Sequence, residues 1–111
     1  MDFIALAENL GMEVEEIVAL LKLFHEESVA DLEAMQRAFE KRAKKGVVEA
    51  AKSIKGSAIN LGLQGIHKIA KEIERNAQRN SLKGIEPSVQ LLKGKLDQLA
   101  ESLQNNSLLI V

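Results

Sequence analysis

Apolar residues recur at intervals of three and four along most of this chain, and the intervals divide it into five predicted helices. The first is short: Asp2 is placed to cap it, Phe3, Ile4, Leu6, Ala7 and Leu10 are its apolar positions, and Gly11 closes it. A segment of that length is marginal alone and must pack on the rest. The second predicted helix spans residues 13 to about 45, with the stripe Val14, Ile17, Val18, Leu21, Phe24, Ser28, Leu32, Met35 and Phe39. Glu13, Glu15 and Glu16 in its first turn, and Lys41, Arg42, Lys44 and Lys45 in its last, complement the helix dipole, and Gly46 is expected to end it. The third covers residues 47–61 and the fourth about 64–79, with Ile66, Ile69, Ala70, Ile73 and Ala77 facing inward. Asn80, Ser81 and Gly84 read as a turn. The fifth covers about 86–104, with Pro87 in its first turn and Val89, Leu92, Leu96, Leu99 and Leu103 as its stripe. Asn105 and Asn106 are expected to break it, leaving an apolar tail that the pattern does not place. Four amphipathic helices with short connections predict an all-α fold, an antiparallel up-and-down four-helix bundle, with the short first helix as a lid on one end.

The third helix carries the chain's candidate chemistry. Val47, Ala51, Ile54, Ala58 and Leu61 form its inward face. At about 100° per residue, Val48, Lys52, Lys55, Gly56 and Ile59 gather on the opposite side, where solvent is expected. An interior glycine costs about 1 kcal/mol relative to alanine, so its retention points to close approach by something. Exposed aliphatics beside lysines are a sign of a protein-docking surface. The plainer reading is a surface helix with two stray aliphatics.

Composition narrows the field. A chain of 111 residues fits one domain, and 46% hydrophobic with 28% charged residues is a globular balance. The absence of cysteine excludes disulfides, zinc–thiolate sites and thiol nucleophiles, and is compatible with a reducing cytosol. The net charge of −1 gives no general attraction to nucleic acid. The charge is nevertheless segregated: residues 1–33 carry −8, residues 34–79 carry +7, and the remainder balances. The basic run KRAKKG lies in this middle region and reads as a solvated helix end. No apolar run is long enough to span a membrane, and MDFIALAENL lacks the basic start of a signal peptide, so a cytoplasmic location is expected. His25 and His67 flank apolar stripes and read as boundary or surface histidines. No metal-ligand spacing, catalytic triad or phosphate loop is present.

The segment AAKSIKGSAINLG resembles the signature of histidine-containing phosphotransfer (HPt) domains, A-H-x-L-K-G-S-A-x-x-L-G. Ala51, Lys55, Gly56, Ser57, Ala58, Leu61 and Gly62 match, with Ile54 for the usual leucine. The similarity extends over about residues 11–103, which implies one HPt-like domain over 1–111 with residues 104–111 as a tail. In that family the histidine takes a phosphoryl group from an aspartyl phosphate on a receiver domain. Here Lys52 stands in its place. A neutral imidazole nitrogen is nucleophilic near neutral pH, whereas an alkyl ammonium in water has no lone pair to offer. The resemblance assigns Lys55 to electrostatic help for the phosphoryl group and Gly56 to leaving room for the receiver.

The expectation is a pseudo-HPt module of a two-component phosphorelay. It has no catalytic residue, metal or cofactor. Lys45, Val48, Lys52, Lys55, Gly56, Ile59 and Leu63 form its partner-binding face. The partner implied is a response-regulator receiver domain or a hybrid histidine kinase, not nucleic acid or a membrane. Two alternatives stand beside it. One is an active phosphocarrier, through a rerouted histidine or with Lys52 as an engineered replacement. The other is a bundle that has left the phosphorelay and binds other proteins.

Overall fold

The computed structural model describes residues 1–79 and 82–110, with side chains through residue 105 in the last helix. Asn80 and Ser81 of the expected turn, the side chains of residues 106–110 and residue 111 of the tail lie outside the described residues. Among the described residues five helices follow in order: α1 (Phe3–Leu10), α2 (Val14–Glu40), α3 (Lys44–Asn60), α4 (Gln64–Gln78) and α5 (Glu86–Ile110). In sequence order α2 packs on α3, α3 on α4 and α4 on α5, and α5 closes the ring against α2. This is the expected four-helix bundle with a short additional helix.

Local chemistry sets most of the boundaries. The Asp2 carboxylate accepts from the Ala5 N–H at 3.0 Å and starts α1. Gly11 ends it at φ 66°, while the Met12 N–H donates to the Ala7 carbonyl at 2.9 Å, the hydrogen bond of a Schellman closure. α2 opens on a capping arrangement in which the Glu16 carboxylate accepts from the Glu13 N–H at 3.3 Å. The turn between α3 and α4 repeats the Schellman pattern. Gly62 sits at φ 72° and the Leu63 N–H reaches the Ala58 carbonyl at 2.9 Å. Leu6 of α1 lies against this turn: a Cβ added to Gly62 would stand 3.2 Å from Leu6 Cδ1. The first helix is thereby seated over the α3–α4 end of the bundle.

Two boundaries differ from the sequence reading. α2 stops at Glu40, short of the expected end near residue 45, and Gly46 belongs to the first turn of α3. Arg42 takes the left-handed position at φ 55°, and the Ala43 N–H donates to the Ala38 carbonyl at 2.8 Å. The turn is therefore a Schellman closure with arginine where glycine is usual. Gly46 has a different task. A Cβ there would lie 2.8 Å from the Ala38 Cβ, so the glycine permits close approach of α2 and α3. The second difference is at the C-terminus. α5 continues through Asn105 and Asn106 to Ile110. Asparagine lowers helix propensity by only about half a kcal/mol, and no proline or glycine interrupts the segment.

The core is the set of stripes read from the sequence. Ile17, Leu21, Met35, Val47, Ile54, Ile73, Leu92 and Leu96 are almost wholly buried, and Ile85 joins them from the loop before α5. Phe3 and Ala7 anchor α1 in this core, while Ile4 on the same short helix faces solvent. Among the described residues, two polar side chains are also buried, Ser28 and Glu74. No described helix is long and apolar enough to cross a membrane.

Candidate functional site

α3 places its residues as the spacing requires. Val47, Ala50, Ala51, Ile54 and Ala58 are buried against the bundle, and the opposite side faces water. Lys45 and Lys52 are exposed, and Ile59 keeps 48% of its surface in solvent. Val48 is half-buried, with its inner side packed against the core. Gly56 is the centre of this face. A Cβ built on it would meet nothing within 4 Å among the described residues, so the space above it is open. The close approach expected from an interior glycine is not made by any of the described residues, and the gap is open.

Leu63 does not belong to the face. It is 7% exposed and contributes to the core. The reason is the Schellman turn: the residue after the left-handed glycine folds back onto its helix, where an apolar side chain packs inward.

Lys55 is committed to a partner within the chain. Its ammonium lies 2.6 Å from Glu74 Oε1 on α4. The Glu74 side chain is 8% exposed and that of Lys55 27%. A carboxylate that deep requires a cation or several donors, and Lys55 supplies the cation. His67, in the first turn of α4, is tied to the same residue through the main chain: Nδ1 lies 3.1 Å from the Lys55 carbonyl. A carbonyl can only accept, so Nδ1 carries the hydrogen and Nε2 of the neutral ring keeps the lone pair. On the other flank of α3, the Ser53 hydroxyl donates to Asp31 Oδ2 at 2.7 Å.

The face read from the sequence ran from Lys45 to Leu63 and included nothing from α4. Gln78 joins Lys44, Lys45, Val48, Glu49 and Lys52 around a shallow hollow of about 380 Å³. Glu74 carried a readable signal, because it stands four residues after Ala70 on the buried stripe, where an ionised group needs a counter-charge. Gln78 carried none. His25 is half-buried on α2. A larger cleft, about 510 Å³, lies at the α1 end between α1, the α3–α4 turn and α5. Among the described residues, no cluster of three His, Asp or Glu side chains is disposed to hold a metal ion.

The protein-family model of the Hpt domain matches residues 19–102. The match covers most of the chain, including all of α3 and α4 and most of α2 and α5, and the chain belongs to this family. Hpt domains are phosphorelay modules that interact with receiver domains and histidine kinases and are not conventional enzymes. Searches among curated proteins and among solved structures find no match.

Proposed function

We propose that this protein is a pseudo-HPt module, which docks a receiver domain or hybrid kinase through the outer face of α3 without carrying phosphate at that face. The observation that carries the reading is the exposed Lys52 one turn from the open space at Gly56. Lys52 stands at the position that matches the family's acceptor histidine. A receiver's phosphorylation pocket is lined by carboxylates, so an ammonium projecting toward it is attracted where the imidazole would have reacted. Such a charge speeds encounter and opposes separation. It forms no phosphoramidate, because a protonated amine has no lone pair for phosphorus. Lys45, Val48 and Ile59 surround the contact, with Gln78 at its edge. The module occupies the receiver and withholds it from true phosphodonors, which places its work in the cytoplasm.

The test is capture from a lysate of the source organism, with the native chain and Gly56→Trp as parallel baits. Recovery of a receiver or hybrid kinase by the native bait alone supports the reading. Equal recovery of unrelated proteins by both baits overturns it. Receiver binding that is unchanged by Lys52→Glu removes the lysine from the contact.

A second reading has one observation in its favour. The Nδ1–H of His67 is held by the Lys55 carbonyl, which leaves Nε2 as the nucleophilic nitrogen. Phosphate carried there is acid-labile and disappears in His67→Ala. An unlabelled native chain, offered a phosphorylated receiver, rejects this route.

A further inference from the structure

Leu20 and Leu23 of α2 are 37% and 50% exposed, and among the described residues no other helix leaves two large apolar side chains this open to water. Glu16 stands four residues before Leu20 and Glu27 four residues after Leu23, so carboxylate, leucine, leucine and carboxylate follow one another along one side of the helix. Asp31, one turn beyond Glu27, accepts from the Ser53 hydroxyl, which turns this side toward α3 and fixes the register of the two antiparallel helices. Counting from that bond, Glu27 stands level with Ser57 and Leu23 with Leu61. Leu61 is half-buried against the core, so the apolar strip continues from α2 to the end of α3. The cations of this region lie elsewhere. Lys22 falls on the far side of α2, Lys55 reaches Glu74 on α4, and Lys52 borders the hollow with Gln78. The strip is therefore apolar in its middle and negative at its ends, within a segment that carries −8 over residues 1–33.

We infer that the groove between α2 and α3 is a second docking site, and that its occupant is a basic amphipathic helix of a partner protein. The main-chain hydrogen bonds of both walls are spent within the helices, so the groove offers no backbone edge to an extended peptide, and the occupant must bind through its side chains. A helix laid along two antiparallel helices presents apolar residues at i, i+3 or i+4, and i+7. Leu20, Leu23 and Leu61 receive them, and the contact covers apolar area that the free chain leaves in water. Glu16 and Glu27 lie about 16 Å apart along the helix axis, so lysines or arginines one turn outside the apolar residues meet a carboxylate at each end. An acidic helix would face like charge at both ends. The inference does not rest on the phosphorelay reading. The Lys52 face lies on the α4 flank of α3 and this groove on the α2 flank, so the two sites do not overlap, and a module with both holds two partners together.

Fluorescence anisotropy with the full chain tests it. The reporter is a labelled helical peptide of leucine, alanine and lysine, with leucines at i, i+3 and i+7 and lysines one turn outside them. Saturable binding is expected, weakened but not abolished by added salt, because the leucines contribute an apolar part that salt does not screen. Leu23→Ser and Glu27→Lys each raise the dissociation constant at least about tenfold, whereas Glu101→Lys, an equal change of charge on α5, leaves it within about twofold. A peptide of the same composition with its leucines spread evenly round the helix binds at least about tenfold more weakly. All three positions are exposed, and circular dichroism checks that each variant stays folded. The inference is overturned by the absence of saturable binding, by a Leu23→Ser chain that binds as the native chain does, or by equal losses in Glu27→Lys and Glu101→Lys, which would reduce the contact to general acidity. A native chain that sediments as a dimer, dissolved by Leu23→Ser, would assign the strip to a second copy and overturn it as well.

Discussion

The ammonium of Lys55 lies 2.6 Å from the carboxylate of Glu74, and the pair joins α3 to α4 directly beneath the candidate docking face. The two ends are unequal, since Glu74 is buried and Lys55 is partly in water. Removing the lysine strands a buried carboxylate, whereas removing both leaves an apolar contact. Lys55→Met is therefore expected to lower stability by about 2 kcal/mol, and Lys55→Met combined with Glu74→Leu to recover most of it. Urea denaturation of the two variants and the native chain measures the difference. A double variant no more stable than Lys55→Met would mean that the pair is not coupled.

Two glycines of α3 make opposite predictions. Above Gly56 there is open space, so Gly56→Ala gains helix propensity without a clash and raises stability by about 1 kcal/mol. At Gly46 the new methyl would be forced to 2.8 Å from Ala38 Cβ. Gly46→Ala must part α2 from α3, and the strain outweighs the propensity gain, for a net loss of about 1–2 kcal/mol. Thermal melts of the two single variants should move in opposite directions. A fall in both would show that Gly56 has a conformational role in the isolated chain, and its use as open room for a partner would lose its support.

The comparison of these glycines shows what the sequence conveys. Periodicity reveals which side of α3 is inward, because burial follows the 3.6-residue repeat and nothing in the helix disturbs it. It located all five helices for the same reason. It does not reveal which glycine is pressed by a neighbour, since that depends on how closely two helices approach. Gly46 therefore read as a helix stop, although it is a contact point. The true stop at Arg42 was hidden, because arginine gives no sign of a left-handed backbone. Leu63 looked like the end of an exposed stripe until the turn at Gly62 carried it inward. The family signature pointed to a candidate face on α3, and burial then removed Leu63 from it and committed Lys55 to Glu74.

Arg42 offers a direct check on the α2–α3 turn. A side chain at φ 55° is disfavoured by contact between Cβ and the neighbouring carbonyl, a cost that glycine avoids. Glycine loses more backbone entropy on folding, so part of the gain is cancelled. Arg42→Gly is expected to raise stability by about 0.5–1 kcal/mol, and Arg42→Val to lower it. Chemical denaturation reads both signs, and equal values for the two variants would place the turn in another conformation.

The last prediction concerns residue 52 itself. Lys52 is exposed, the space over Gly56 is open, and Ser53 is held away on the α2 flank by Asp31. Nothing in this geometry obstructs an imidazole at position 52 or the approach of a phosphoryl donor. Lys52→His is therefore expected to accept phosphate from a receiver's aspartyl phosphate. The nitrogen lone pair attacks phosphorus, the N–P bond forms, and the acyl oxygen leaves as carboxylate. The product is labile to acid and stable to base, as a phosphoramidate must be, and intact-mass measurement before and after mild acid identifies it. The native chain and Lys52→Ala should remain unlabelled under the same conditions. Labelling of Lys52→His alone would show that one side chain separates this face from phosphotransfer. Failure of that variant with a receiver that demonstrably binds would mean that Lys55, held by Glu74, no longer assists a phosphoryl group, and Glu74→Gln in the Lys52→His background would then be expected to restore the labelling.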